Sequence, residues 1–456
     1  MLNNSALQSN GMIISAIDSN CGKTTITAML LAAFTQRKLN LQPYKIGADF
    51  FDSGMHCMYS NEVSLNLDTW MMGKNNVQGI INRLPVGYRG IIEGFEGIFD
   101  KHYPDANQSG TMEIAQLLNW PIILVVCCEQ LHQDNFSELL GVVNQAGKYH
   151  NNSRVAGIIL NKVTKPQLTE QFIHYLAQHE IKVLGSINKQ NSLDHPTDMH
   201  NAASSCSQYC PSMEQLAQLA EKSLSIDEII TLSIEVKTAD CAVLAKKNSK
   251  NSIKKRIAIS DDEAFFFYYQ DNHHFLTERN VKLIKFSTLK DKKLPDNLDG
   301  LILSGGIPEK YAKEITNNQE LRRDIKKKVD AGLLCYAECG GLMFLCQGIY
   351  LRSGQFYPMV GCVPGIVELT NKLQNYGYAI CQRKINNEIY RIRGHEFHYA
   401  SWLEEYKLAN LWQTTTCETK LTRYEGYQTK NIHASFVHLY FPSASTFICN
   451  FFGLDE

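Results

Sequence analysis

Several features that would assign a function at once are missing from this sequence. No long apolar run is present: Trp120 to Cys128, interrupted by Pro121, falls far short of the roughly 18 to 20 residues that cross a bilayer. A membrane span is therefore excluded. Neither charge is in excess, because 45 Lys and Arg against 46 Asp and Glu leave a formal charge of -1. With no long block of one sign, nucleic acid and anionic membranes are not expected partners. The first ten residues carry no Lys or Arg, which excludes a secretory signal or an Arg-rich transit peptide. Residues 1–10 read as a disordered leader on a cytoplasmic protein. The 14 cysteines include no CxxC pair. Their one gathering with histidine, His195 and His200 followed by Cys206 and Cys210, lacks zinc-site spacing. Many cysteines sit in apolar runs such as Val125-Val126-Cys127-Cys128, so they read as buried free thiols rather than disulfides.

What is present is a length of 456 residues, room for two large domains or about three at roughly 150 residues each. Gly11 to Ile17 is an apolar run entering a glycine-containing turn, and Thr24 to Phe34 follows with helical periodicity. Short apolar runs at Gly90-Ile91-Ile92, Pro121 to Val126 and Val155 to Leu160 alternate with helical patterns. That alternation predicts a parallel sheet covered on both faces. Residues 244–255 turn to Lys, Asn and Ser and read as a linker. The α/β pattern restarts at Arg256 to Ser260, with further strands at Val281 to Phe286, Gly300 to Leu303 and Leu333 to Ala337. Two α/β domains are expected, 11–243 and 256–456.

Two segments carry chemistry. Ala16 to Thr25 ends in Gly22-Lys23-Thr24-Thr25 between a strand and a helix. A nucleotide needs backbone N–H groups turned to its phosphates, a lysine on the outer phosphates and a hydroxyl on Mg²⁺. Lys23 and Thr24 suit the last two tasks. Asp49, Asp52 and Glu93 are expected at carboxyl ends of strands, where open α/β sheets bind ligands and where carboxylates can hold Mg²⁺ through its water shell. Asp100 is a further candidate. Singly, each of these is as well explained as a helix cap or a solvated loop residue. In the second half, Leu333 to Phe344 runs from strand through Glu338-Cys339-Gly340-Gly341 to helix. A thiol at such a turn is exposed, and the following N–H, from Gly340, can hold an oxyanion. Cys339 is thus the candidate nucleophile. His438 is the best placed base, with His433 as the alternative nearer a loop. Gly305 and Gly306, after Ser304, could supply the second oxyanion donor.

These motifs together resemble the cobyrinic acid a,c-diamide synthase family. The Gly-Lys-Thr loop with Gly47-Ala-Asp-Phe-Phe-Asp52, Asn66-Leu-Asp-Thr-Trp-Met-Met-Gly73 and Glu93-Gly-Phe-Glu-Gly-Ile-Phe-Asp100 is similar to its synthetase half. Asp262 to Tyr269, Tyr336-Ala-Glu-Cys-Gly-Gly-Leu-Met343, Gly394-His-Glu-Phe-His-Tyr399 and His433-Ala-Ser-Phe-Val-His438 are similar to its amidotransferase half. The resemblance implies a P-loop parallel-sheet synthetase domain followed by an α/β class I-like glutamine amidotransferase domain. It further implies a ligase that hydrolyses L-glutamine through a thioester on Cys339 and uses ATP to phosphorylate a substrate carboxylate, which ammonia then attacks. ATP and Mg²⁺ would lie at Lys23, Thr24, Asp49, Asp52 and Glu93, with Asp100 near the reacting carboxylate. The substrate would be cobyrinate, amidated at its a and c acetates. A nickel sirohydrochlorin or cobyric acid type amidase, or a non-enzymatic P-loop paralogue, is the alternative. A homodimer is compatible with the sequence and not decided by it. The chain departs from the family pattern at Asn20, at Cys127 and in the segments 196–200 and 304–309. Asn20 is the mildest departure, since Asn tolerates the left-handed region.

Overall fold

A computed structural model of the chain describes residues 11–99, 110–129, 131–148, 155–189, 211–233, 254–385, 388–403 and 410–455. The expected leader, most of the expected linker, Asp100 and the segment 195–210 lie outside the described residues. Two compact units divide the chain, Met1–Ala245 and Lys246–Glu456.

The first unit is built on a seven-stranded sheet. Its strands are β1 (Gly11–Ala16), β2 (Leu41–Ile46), β3 (Leu65–Leu67), β4 (Arg89–Glu93), β5 (Ile122–Cys127), β6 (Val155–Val163) and β7 (Val183–Asn188). They lie in the order β3-β2-β4-β1-β5-β6-β7, all parallel. Parallel strands must be covered on both faces, which is why β1 and β5 read as unbroken apolar runs. Helix α1 (Lys23–Gln36) is buried from Thr25 to Phe34. It shares an apolar core with β1, with β5 and with residues 216–229 of the last helices. The chain leaves β1 toward β2 and leaves its neighbour β5 in the opposite direction toward β6, so the carboxyl ends of β1 and β5 are where the crossovers change direction. Ligands of open α/β sheets bind at such points.

The second unit centres on a ten-stranded mixed sheet. Val281–Phe286, Lys255–Ser260, Gly300–Leu303, Leu334–Glu338 and Ile432–Ser435 form its parallel half. The antiparallel half continues through Thr422–Gln428, Asn410–Thr416, Asn375–Ile385, Glu388–His398 and the two-residue strand His438–Leu439. The segment 432–439 therefore supplies both the fifth strand and the tenth, with two residues between them. The antiparallel half therefore has to curl until its last strand returns beside the fifth, as strands do in a barrel.

The first four strands of the parallel half match the expectations to within a residue or two, and the fifth, Ile432–Ser435, was not expected. Lys255, read as the last linker residue, is the first residue of its strand. The antiparallel half was not anticipated. Ser435 to Tyr440, read as one strand, is broken between Ser435 and His438.

Candidate functional sites

In the first unit, the loop after β1 turns tightly before α1. Asn20 lies at φ 62° and Gly22 at φ 82°, both left-handed, which suits Asn and Gly better than other residues. Gly22 is also hemmed in. A Cβ there would stand 2.2 Å from Asn161 Nδ2, the atom that donates to the Cys21 carbonyl at 2.9 Å. Asn161 thus ties the end of β6 to the loop.

Below the loop the side chains converge on Glu93, fully buried at the end of β4. Register places Lys45 of β2 directly beside it. Thr24 Oγ1 donates to Glu93 Oε1 at 2.7 Å and lies 3.4 Å from Asp52 Oδ2. Lys45 Nζ stands 2.8 Å from Asp52 Oδ2 and 3.4 Å from Glu93 Oε1, and it donates to the Gly94 carbonyl at 2.9 Å. Lys23 Nζ lies 3.6 Å from Glu93 Oε1. His56 bridges Glu93 Oε2 at 2.7 Å and Ser64 Oγ at 3.0 Å.

Burial alone would raise the Glu93 carboxyl. Lys45, the His56 hydrogen bond and Lys23 outweigh it and hold Glu93 well below the usual carboxylate range. Asp52 goes the other way: burial first, then the charge of Asp49, pushes it up to about 7. Burial and then Lys45 lower the Lys23 ammonium. Asp49 Oδ1 accepts the Phe51 and Asp52 N–H groups at 2.8 and 2.9 Å. These are the first two N–H groups of the helix Phe51–Ser60, so one of the two Asp49 oxygens is already engaged. Thr25 is buried in the first turn of α1.

Lys23, Thr24, Asp52 and Glu93 are therefore brought together, with Asp49 at their edge. Sequence reasoning missed Lys45, His56 and Asn161. For Lys45 a signal was available, because its strand ends at the Gly47-Ala48-Asp49 turn. Among the described residues, no three His, Cys, Asp or Glu side chains form a metal cage. The oxygens of Thr24, Asp52 and Glu93 nonetheless suit Mg²⁺, which prefers oxygen and usually completes its shell with water and phosphate.

In the second unit, Cys339 is held at φ 46°, ψ -105° between the strand Leu334–Glu338 and the six-residue helix Gly340–Leu345. A non-glycine residue there is strained by about 1–3 kcal/mol, as at the sharp strand-to-helix turns that carry nucleophiles; the thiol, expected to be exposed, is instead buried, with Cys339 6% exposed. The Cys339 N–H is taken by the Ser435 carbonyl at 2.7 Å, which leaves the following N–H groups for an oxyanion. A Cβ on Gly340 would sit 3.0 Å from Gly306 N. One on Gly305 would sit 2.3 Å from His438 Cε1. Gly305, Gly306 and Gly340 are thus gathered around the turn, and the glycine at 305 makes space for the imidazole.

His438 is buried and hydrogen bonded to the Cys339 side chain. Its Nδ1 lies 3.2 Å from Glu338 Oε2. Burial alone would lower its pKa, but the hydrogen bonds with Cys339 and Glu338 push it up to about 10. The alternative, His433, stacks on Tyr336 at 4.5 Å. It lies in a different apolar cluster from Cys339, and burial holds it down to about 3.

Residues 12–199 match the CobQ/CobB/MinD/ParA nucleotide binding domain family. Residues 256–446 match the CobB/CobQ-like glutamine amidotransferase domain family. Three relatives are each named cobyrinate a,c-diamide synthase. That of Picrophilus torridus is 31% identical over 95% of this chain and 96% of its own. That of Priestia megaterium is 29% identical over 96% and 95%. That of Clostridium acetobutylicum is 33% identical over 94% and 97%.

Proposed function

The chain belongs to the cobyrinate a,c-diamide synthase family, and from that premise we propose how its residues divide the work of a glutamine-dependent amide ligase of cobalamin biosynthesis. Cys339 attacks the carboxamide carbon of glutamine while His438 takes the thiol proton and returns it to the departing ammonia. The tetrahedral oxyanion is held by the N–H groups of Gly340 and Gly306. Water then cleaves the thioester to glutamate.

The ammonia is consumed in the first unit. There the loop N–H groups and Lys23 bind the ATP phosphates. A carboxylate is a poor electrophile because hydroxide is a poor leaving group, so the a or c acetate of cobyrinate is first phosphorylated. Ammonia then attacks the acyl carbon and phosphate leaves with the C–O electron pair. Thr24, Asp52 and Glu93 would hold Mg²⁺, with Asp49 assisting through its other oxygen. The ion supplies neutralisation of phosphate charge during transfer. Lys45 and His56 fix the two carboxylates in place, and the family resemblance assigns Asp100, which lies outside the described residues, to the reacting acetate. A cytoplasmic enzyme with soluble small-molecule substrates fits this chemistry. Among the described residues no helix is long and apolar enough to cross a membrane.

The observation that carries the reading is the strained Cys339 turn with its thiol hydrogen bonded to the buried His438. A nucleotide-dependent switch has no use for it. Incubation with cobyrinate, ATP, Mg²⁺ and glutamine should give a product in which two hydroxyls are replaced by amines, read by mass. Absence of any amidated product, single or double, with ATP bound normally, would overturn the substrate assignment.

A further inference from the structure

An imidazole that activates a nucleophile works best when a third group fixes its tautomer and orientation. On the strand that carries His438 no such group follows: the residue two positions on is Tyr440, whose hydroxyl is turned to Asp271. Two nearby buried carboxylates are engaged elsewhere. Glu396 pairs with Arg423, and Glu425 accepts Ser435 Oγ at 2.7 Å and the Phe436 N–H at 2.5 Å. Glu338 is different. It is the residue immediately before Cys339, 5% exposed, and its Oε2 meets His438 Nδ1 at 3.2 Å.

Its other oxygen is held from two sides. Tyr336 donates its hydroxyl to Oε1 at 2.6 Å and Leu439 its N–H at 3.0 Å. Tyr336 belongs to the same strand as Glu338, and Leu439 follows His438. The carboxylate therefore clips the imidazole and the backbone next to it onto the strand that ends in the nucleophile. We propose that Glu338 is the positioning residue for His438, so that one peptide unit, Glu338-Cys339, supplies both the orienting carboxylate and the attacking thiol. This rests on Cys339 and His438 acting as described above. With Nδ1–H donated to Glu338, Nε2 is left for the thiol, and the imidazolium formed when Cys339 gives up its proton faces a fixed negative charge.

The arrangement differs from a carboxylate presented on the base's own strand. The orienting group and the nucleophile here cannot drift apart, because adjacent residues hold them. Only the imidazole has to be delivered from a distant segment, 100 residues further along the chain.

The test is Glu338→Gln in the full chain, which keeps the shape and removes the charge. Glutamine hydrolysis should lose about 10²- to 10⁴-fold in kcat with KM for glutamine little changed, and ammonia-dependent amidation should persist. Alkylation of Cys339 by iodoacetamide should shift to more alkaline pH. In a His438→Asn background the same substitution should cost nothing further. If Glu338→Gln does not fold, Glu338→Asp, charged but one methylene shorter, should shift the alkylation profile in the same direction. An unchanged profile with kcat within about threefold of the native value, or an undiminished loss in the His438→Asn background, would overturn the assignment. Cys339→Ala separates the two claims. If that variant still hydrolyses glutamine, the nucleophile itself is misassigned. If it does not, and Glu338→Gln behaves as the native chain, only the positioning role fails.

Discussion

Asn161 Nδ2 holds the Cys21 carbonyl at 2.9 Å, and the same atom occupies the place that a side chain at position 22 would need. Gly22→Ala should therefore suffer twice, from its left-handed backbone and from the collision. About 1–3 kcal/mol of strain corresponds to roughly 5- to 150-fold in ATP affinity. Asn161→Ala gives up one hydrogen bond, about 0.5–1.5 kcal/mol, and should weaken binding less. Because it also vacates the contested space, the double variant should bind ATP better than the product of the two losses. Calorimetric titration of ATP into the four proteins measures this, and strictly additive losses would disprove the coupling.

Glu93 is the hub of the proposed nucleotide site. Replacing it with Gln leaves Thr24, Lys45, Lys23 and His56 without their shared charge. Ammonia-dependent amidation and ATP turnover should fall about 10- to 100-fold or more, while glutamine hydrolysis, which lies in the other unit, continues. Steady-state rates with ammonia and with glutamine, alongside thermal unfolding, check this. Equal loss of both activities in a folded variant would contradict separate sites.

Cys339→Ala should abolish glutamine-dependent amidation and spare the ammonia-dependent reaction, since the thiol serves only ammonia release. His438→Asn should behave in the same way, because little of an unactivated thiol is thiolate near pH 7. Robust glutaminase turnover in the His438 variant would place the base elsewhere.

His433 supplies a pH test. Burial, with a smaller push from Arg383, holds its imidazole down to about 3, and among the described residues neither ring nitrogen has a hydrogen-bond partner. Between the ordinary value of 6.5 and about 3, the unfolded chain binds a proton that the folded chain refuses. Stability due to this group is therefore complete above 6.5 and drains away as pH falls through that window, by about 1.4 kcal/mol per unit. His433→Phe should keep the stacking on Tyr336, retain glutaminase activity and flatten the acid dependence by one proton. Unfolding midpoints of native and variant chains from pH 6.5 to 4 decide it. Parallel curves would mean that His433 is not the group being protonated.

The candidate nucleotide site was legible in the sequence because its parts are local: a strand, a turn that suits Asn20 and Gly22, and a helix whose first residues are Lys23 and Thr24. The carboxylates at 52 and 93 were legible because strand ends recur at the same edge of a parallel sheet. Lys45 and His56 were not, because what matters about them is register and packing against Glu93. Similarly, Cys339 announces itself by the turn around it, whereas Glu338 could be read only as a neighbour until His438 was brought to it. The hairpin Asn375–Ile385 with Glu388–His398 escaped for another reason. It is half-buried with polar and apolar residues on both faces, so no clean alternation marks it.

The curled sheet of the second unit ties the thiol and its base to one segment. Leu334–Glu338 lies between Gly300–Leu303 and Ile432–Ser435, and His438–Leu439, three residues on from Ser435, pairs with Glu388–His398. Contacts of such long sequence separation are slow to form, because loop closure must precede any gain from them. Docking of the segment 432–439 therefore both fixes the Cys339 N–H on the Ser435 carbonyl and delivers the imidazole to the thiol. A chain in which that segment is displaced loses the nucleophile's turn and its base together.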